Sequence, residues 1–360
     1  MKKVGIFTIQ DSDNYGNRLQ NFALQETIKQ LGFECYSFAN YRRTNFQDSK
    51  IKIIIIKNLV KFKSFIGNLL NHKRFNNFKV FNKNIEYYDK EVDYNNYQRI
   101  FNDFDYIVAG SDQVWNRDIL RLSNVDLLEG IPRKKCVAYA ASFGTTSVQD
   151  NCKNILKKNL VGFNFISVRE TAGKEIIKSV ANIKNVDVLV DPTMLIDCKE
   201  WEKLAEKPDG IDDKKYILNY FLSPLSDKNR EIINKFASEK NWEIIDILDK
   251  KNPFYKSGPA EFLWLEKNAE LICTDSFHSS VFALLFGRPF LVFNREDKLA
   301  DMSSRLDTLL ERFGLKERRF NGVITDDILN CDYDEAYKIL GNERKKSLKF
   351  LGEALKNDRE

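Results

Sequence analysis

The chain has 360 residues, 43% hydrophobic and 30% charged, with a formal net charge of +5. This is the composition of a soluble globular protein, and the length suits two cores better than one. No stretch approaches the roughly 18 uninterrupted apolar residues of a membrane span, no leader pattern precedes the first strand, and the six cysteines are scattered without a C-x-x-C pair. These features argue against a secretory leader, a disulfide framework and a zinc site, so a cytoplasmic location is expected.

In chain order, Lys3 to Ile9 reads as an apolar strand, followed by the polar loop Gln10 to Arg18, a helix from about Leu19 to Leu31, and a strand from Glu34 to Phe38. This is a βαβ unit with a ligand-facing loop after its first strand. The loop lacks both Gly-x-Gly-x-x-Gly and a P-loop lysine, so dinucleotide or ATP binding is not indicated. From residue 41 to 85 there are eleven Lys/Arg against Asp48 alone, whereas the remainder carries 46 basic and 51 acidic residues. The whole positive excess therefore lies in one segment. Within it, Ile51 to Leu70 has the periodicity of an amphipathic helix. It reads as a surface insertion with a solvated basic face or as a peripheral membrane contact with acidic headgroups. No nucleic-acid module accompanies the charge, so nucleic acid is not an expected partner.

Further strands are predicted at Phe104–Ala109, Lys135–Ala141, Asn164–Val168 and Val186–Val190, each ending in a small or polar cluster. Composition then shifts through the charged stretch 197–215. A second alternating set follows: strand Tyr216–Leu222, helix Lys228–Lys240, strand Trp242–Leu248, helix Pro259–Asn268, strand Leu271–Thr274, helix Ser276–Phe286 and strand Pro289–Phe293. Helices are predicted at Asp301–Phe313 and Asp334–Leu355. The expected division is an α/β domain 1–196 with a helical insertion 41–100, a linker 197–215, a second α/β domain 216–333 and a terminal helix 334–360. Two Rossmann-like domains facing across a cleft are the expected architecture.

Ligands of such sheets sit at the carboxyl ends of the strands, where helix N-termini offer N–H groups to anions. His278 stands in a first helical turn after a strand, preceded by Asp275 and flanked by Ser276 and Ser279, which suits proton donation near neutral pH. Arg169 follows a strand directly and reads as an anion clamp for phosphate or carboxylate, or as a surface partner of Glu170. Arg288, between a helix stop and a strand, is a further candidate cation. Arg18, beside Asn17 at the start of the first helix, opposes the helix dipole and calls for a compensating anion. In the run Gly110 to Asn116, Ser111 lies in the turn, Asp112 is a candidate base toward a hydroxyl and Trp115 a candidate platform for a sugar face. Ser142 and Gly144 allow a close backbone approach, or form an ordinary tight turn. No second histidine or acidic pair has metal-ligand spacing.

Five stretches in order, Asn14-Tyr-Gly-Asn-Arg-Leu-Gln-Asn-Phe-Ala-Leu-Gln25, Val108-Ala-Gly-Ser-Asp-Gln-Val-Trp-Asn116, Ser167-Val-Arg-Glu170, Asp191-Pro-Thr193 and Thr274-Asp-Ser-Phe-His-Ser279, resemble the successive signatures of the polysaccharide pyruvyl transferase family. The resemblance implies a fold similar to GT-B glycosyltransferases and a metal-independent reaction without cofactor. It implies phosphoenolpyruvate as donor and, as acceptor, a sugar of a cell-surface polysaccharide or its lipid-linked precursor. His278 would be the general acid, with Arg169 and Arg288 near the donor's negative charge. Many relatives have glycine after the histidine, where this chain has Ser279. The alternatives are a GT-B-type nucleotide-sugar glycosyltransferase and a non-catalytic membrane-surface or glycan-binding protein.

Overall fold

The computed structural model describes residues 1–11, 13–39, 72–116, 125–161, 163–296 and 303–356. The predicted amphipathic helix Ile51–Leu70, with most of the basic segment, lies outside the described residues. The chain forms two compact units: unit 1 comprises Met1–His72, Asn82–Leu195 and Glu343–Glu360, and unit 2 comprises Lys73–Phe81 and Ile196–Asn342.

Unit 1 begins with β1 (Lys3–Phe7), α1 (Tyr15–Gln30) and β2 (Glu34–Ser37). Helix α1 starts well before Leu19 because the Asn14 side chain accepts the backbone N–H of Asn17 at 3.0 Å, an N-cap that satisfies one of the orphan donors of the first turn. After α2 (His72–Phe81), which apart from His72 belongs to unit 2, unit 1 continues with α3 (Tyr97–Asn102), β3 (Tyr106–Ala109), β4 (Cys136–Ala141), α4 (Asp150–Leu160), β5 (Phe165–Val168), α5 (Thr171–Ala181) and β6 (Asp187–Val188). The six strands form one sheet in the order β2-β1-β3-β4-β5-β6 with every neighbouring pair parallel. Alternate residues feed two cores. Tyr106, Val108, Val137 and Tyr139 pack on one face with Leu351 and Leu355 of the C-terminal helix, while Ile107, Ala109, Cys136 and Ala138 pack on the other with Phe101, Phe104 and Trp115. Burial on both faces explains why these strands are near-continuous apolar runs rather than polar-apolar alternations.

Unit 2 holds α6 (Cys198–Leu204), β7 (Tyr216–Tyr220), α7 (Asp227–Lys240), β8 (Glu243–Asp246), α8 (Pro259–Asn268), β9 (Leu271–Thr274), α9 (Phe277–Leu285), β10 (Phe290–Val292) and α10 (Ser304–Arg312). Its sheet is parallel, in the order β10-β9-β7-β8. The stops are local: Asn241 closes α7 in the left-handed region at φ 54°, and Gly287 follows α9 at φ +65°. Helix α8 opens with Pro259 at its first position, and the N–H of Gly258 donates to Glu261 Oε2 at 2.9 Å.

Two sequence segments have a role not foreseen. The stretch 197–215, expected to be a linker, begins with α6, whose Trp201 is fully buried and meets Phe282 of α9 edge-on at 5.2 Å. Residues 73–81, expected to belong to an insertion of the first domain, are part of unit 2. There Arg74 donates to the carbonyls of Tyr255 and Ser257, and Asn77 to Lys256 O and Glu261 Oε1. The last helix, α11 (Asp334–Lys356), contributes its residues from Glu343 onward to unit 1.

Candidate functional site

In a parallel sheet every strand ends on the same edge, so the loops after the strands of unit 1 meet there. At the centre of that edge lies a buried ionic group. Arg169, just after β5, donates to Asp191 Oδ2 at 2.6 Å and to Asp112 Oδ1 at 3.1 Å. Asp191 also accepts from Ser111 Oγ at 3.0 Å and, through its other oxygen, from the N–H and hydroxyl of Thr193. Asp112 accepts in addition from Asn17 Nδ2 at 3.3 Å. The side chains of Arg169 and Asp191 are 1% and 0% exposed and that of Asp112 12%, so Asp112 is the member that reaches solvent.

Several expectations are corrected by this geometry. Arg169 is not an outward-facing anion clamp, nor a surface partner of Glu170. A buried guanidinium requires compensating charge, which Asp191 and Asp112 supply, so Arg169 positions Asp112. Ser111 is fully buried, its hydroxyl engaged by Asp191 and by the carbonyl of Ala140. Trp115 is 1% exposed, donates from Nε1 to Asp126 O and packs 5.3 Å from Phe143, so it is a core side chain and offers no sugar platform. Ser142 is buried too: its hydroxyl and the N–H groups of Phe143 and Gly144 all donate to Glu170 Oε1, which makes the 142–144 turn a structure built around a buried carboxylate.

The loop after β1 holds Arg18, 2% exposed, whose guanidinium donates to Gln10 Oε1, Tyr87 Oη, Ile9 O and Asn17 Oδ1. Among the described residues these partners are all neutral oxygens. Nearby Asp11 is pushed up to about 6, chiefly by burial and next by its hydrogen bond with Asp13, with Arg18 pulling the other way. Asp11 was not singled out from sequence, although its place in the first polar loop was the available signal.

In unit 2 the corresponding edge is organised by Asp275, directly after β9. Its oxygens accept from Leu222 N at 2.7 Å, Ser223 N at 2.9 Å and Ser223 Oγ at 2.6 Å, which ties down the loop after β7. Arg295, just beyond β10, approaches Asp275 Oδ2 with its Nε at 3.6 Å. The next residue, Ser276, is the N-cap of α9, yet its hydroxyl makes no cap bond; its N–H donates to Thr274 Oγ1. His278 occupies the first turn of α9, 7% exposed, with its ring perpendicular to Phe277 at 5.4 Å.

Ser279 and Arg288 do not join this group. The Ser279 hydroxyl is fully buried and donates to Glu266 Oε1 of α8. Burial holds the Glu266 carboxyl well above the usual range, opposed by the Ser279 bond, so the Ser279 hydroxyl is committed to a buried acid of the core. Arg288 precedes β10, and Phe290 pairs with Ile272 near the start of β9, whereas His278 follows the end of β9. Arg288 is therefore at the amino edge of the sheet, where it acts on Tyr216 at the start of β7. Arg295, just beyond β10, lies on the edge with His278, and sequence order hid it because it follows the strand. Among the described residues, no group of three or more His, Cys, Asp or Glu side chains could hold a metal ion.

A family model described as polysaccharide pyruvyl transferase matches residues 14–297. No curated protein matches. Among solved structures, a glycosyltransferase from Rickettsia africae ESF-5 is 10% identical over 99% of both chains with a TM-score of 0.51. The S. aureus MnaA–UDP co-structure is 12% identical over 98% of this chain and 91% of that one, with a TM-score of 0.50. At such identities the likeness concerns the fold alone: α/β units with parallel sheets, as in the GT-B glycosyltransferases and epimerases.

Proposed function

Because the chain belongs to the polysaccharide pyruvyl transferase family, we propose that it moves the enolpyruvyl group of phosphoenolpyruvate onto two hydroxyls of a sugar, in a cell-surface polysaccharide or its lipid-linked precursor, to give a pyruvate ketal. The observation that carries this reading is the place of His278 in the first turn of α9, directly after the carboxyl end of β9 and beside an N-cap serine whose hydroxyl makes no cap bond. The donor is a small trianion with a phosphate and a carboxylate, and a helix N-terminus provides donors and a positive dipole end for such groups.

In the proposed reaction, His278 protonates the methylene carbon of the enol phosphate, which becomes a methyl group and leaves C2 cationic. One sugar hydroxyl adds to C2 and its proton restores the acid. The C2–O bond to phosphate then breaks, the second hydroxyl adds, and its proton leaves with the phosphate as hydrogen phosphate. Asp112, the ionic-group member with an exposed edge, is the candidate carboxylate toward an acceptor hydroxyl, and Asn17 and Arg169 orient it. Ser276 is the candidate donor-side hydroxyl.

The test is incubation with phosphoenolpyruvate and candidate glycan acceptors, reading released phosphate and the mass gain of the acceptor. Both signals are expected together. Transfer from a nucleotide sugar in their place would move the protein to the glycosyltransferase reading. Binding of glycans or anionic vesicles with no turnover of either donor would make it a non-catalytic binder. His278→Ala is expected to lower kcat by ~10²–10⁴-fold with donor affinity nearly unchanged, the usual contribution of a positioned acid. An unaltered kcat would take His278 out of the mechanism.

A further inference from the structure

We propose that Glu266, through its hydrogen bond with Ser279, is a positioning residue that fixes the rotation of α9 and with it the direction in which His278 faces. The inference rests on the preceding reading for the role of His278 as an acid, whereas the anchoring itself is measurable without that reaction.

Glu266 is fully buried on α8, and among the described residues its carboxyl makes one hydrogen bond, accepted by Oε1 from the Ser279 hydroxyl at 2.5 Å. Its Oε2 is buried with no hydrogen-bond partner among those residues. Taking a carboxyl out of water for a single bond is unfavourable, and a leucine of similar size would fill the space without that cost. Core filling therefore does not account for an acid at this place. What a leucine cannot supply is a directional acceptor. Burial is also the main reason the carboxyl stands well above its usual range, with the Ser279 bond opposing it, as expected of an acid in otherwise apolar surroundings.

The other end of the bond lies where it controls the helix. Ser279 is the third residue of α9 and follows His278 directly, so the two side chains differ by about 100° of rotation about the axis. Fixing one fixes the other. The remaining bonds of the first turn tie it to the strands or to itself: the N–H of Ser276 donates to Thr274 Oγ1 at 3.0 Å, Thr274 Oγ1 donates to Tyr220 O of β7 at 2.7 Å, and Ser280 Oγ donates back to Ser276 O at 2.9 Å. Toward α8 the contact is apolar. Phe282, three residues after Ser279 and so on the same face, meets Phe262 edge-on at 6.2 Å. Apolar burial is non-directional and sets no rotation by itself, which leaves that part to the Glu266–Ser279 bond. Helix α8 is a firm base for it, because Tyr216 Oη on β7 donates to Leu265 O at 2.9 Å, one residue before Glu266.

The experiment compares the wild type with Glu266→Gln, Ser279→Ala and the double variant Glu266→Leu/Ser279→Ala, reading kcat, the KM for phosphoenolpyruvate, the denaturation midpoint and the imidazole NMR signals. The chain has two histidines, His72 and His278, so the His278 signal is assigned by its loss in His278→Ala. The double variant removes both partners and leaves no orphaned polar group, so its midpoint is expected near that of the wild type. Its His278 signal is expected to shift or broaden, and its kcat to fall by about 10- to 100-fold with little change in KM, as for a reacting group misplaced by up to ~1 Å. Ser279→Ala should show the same losses, and carries the readout if the double variant fails to fold. Glu266→Gln keeps an oxygen that accepts from Ser279 and should recover the wild-type kcat and signal. An unchanged His278 signal in Ser279→Ala and the double variant, which a purely structural pair predicts, overturns the proposal, and so does a Glu266→Gln variant that behaves like the double variant. Absence of turnover in the wild type would remove the proposed reaction, and the His278 signal would still decide the anchor. A displaced signal with undiminished kcat would keep the anchor and take His278 out of the mechanism.

Discussion

Single side chains in this protein are decided by what surrounds their charge. Arg169 and Arg295 both follow strands, yet the Arg169 side chain is 1% exposed between two carboxylates while that of Arg295, beside Asp275, is 18% exposed. Arg169→Ala would leave Asp112 and Asp191 facing each other without a counter-charge, and is expected to destabilise unit 1 by ~3–5 kcal/mol, read as a lowered denaturation midpoint. A midpoint within error of the wild type would show that the ionic group is not what holds these loops. Asp11 gives a pH signature. With its carboxyl pushed up to about 6, the folded chain binds more protons than the unfolded chain between the ordinary Asp range and pH 6. Stability contributed there is present at low pH and falls as pH rises through that window. Asp11→Asn should flatten the slope of denaturation midpoint against pH between 4 and 6 and raise stability at pH 7 by on the order of 1–2 kcal/mol. An unchanged slope would show that the shift is not coupled to folding.

At the scale of elements, the edges of both sheets are set by turns that only particular backbones can make. Gly110, at the end of β3, has φ +117°, and a Cβ there would collide with the carbonyl oxygen of Tyr139 on β4. Gly110→Ala is therefore expected to cost on the order of 2–4 kcal/mol, measured by denaturant unfolding, because backbone rather than a flexible side chain stands in the way. A cost below about 0.5 kcal/mol, the range of an ordinary surface substitution, would mean that the two strand ends can part freely. Helix α1 teaches the opposite lesson about reading elements. Its apolar periodicity begins near Leu19, while its start is set by the Asn14 side chain four residues before Arg18. Capping chemistry placed the boundary, and with it Asn17 and Arg18 became buried helical residues instead of loop residues.

For the whole molecule, the described residues contain no helix long and apolar enough to cross a membrane. The positive charge of the chain is concentrated between residues 41 and 85. If that segment meets acidic lipid, the protein should co-sediment with anionic vesicles at low ionic strength and be released as salt rises past the point where the Debye length falls below ~8 Å. Replacing Lys52, Lys57, Lys61 and Lys63 by Glu should abolish the binding; retention by neutral vesicles, or by this variant, would count against a charge-driven contact. The sequence alone determined that there are two parallel-sheet α/β units, since unbroken apolar runs alternating with amphipathic helices leave little other way to bury both faces. It also determined that polar clusters end the strands, and that His278 opens a helix after one of them. Tertiary structure alone decided which of those polar groups remain available. Whether Ser111, Ser142, Trp115, Arg169 and Ser279 face inward depends on partners as distant in sequence as Asp191 is from Ser111 or Glu266 from Ser279. Strand pairing, rather than proximity in the chain, put Arg288 on one edge of its sheet and Arg295 on the other. Burial and pairing are properties of the neighbours of a residue, and the neighbours exist only once the chain has folded.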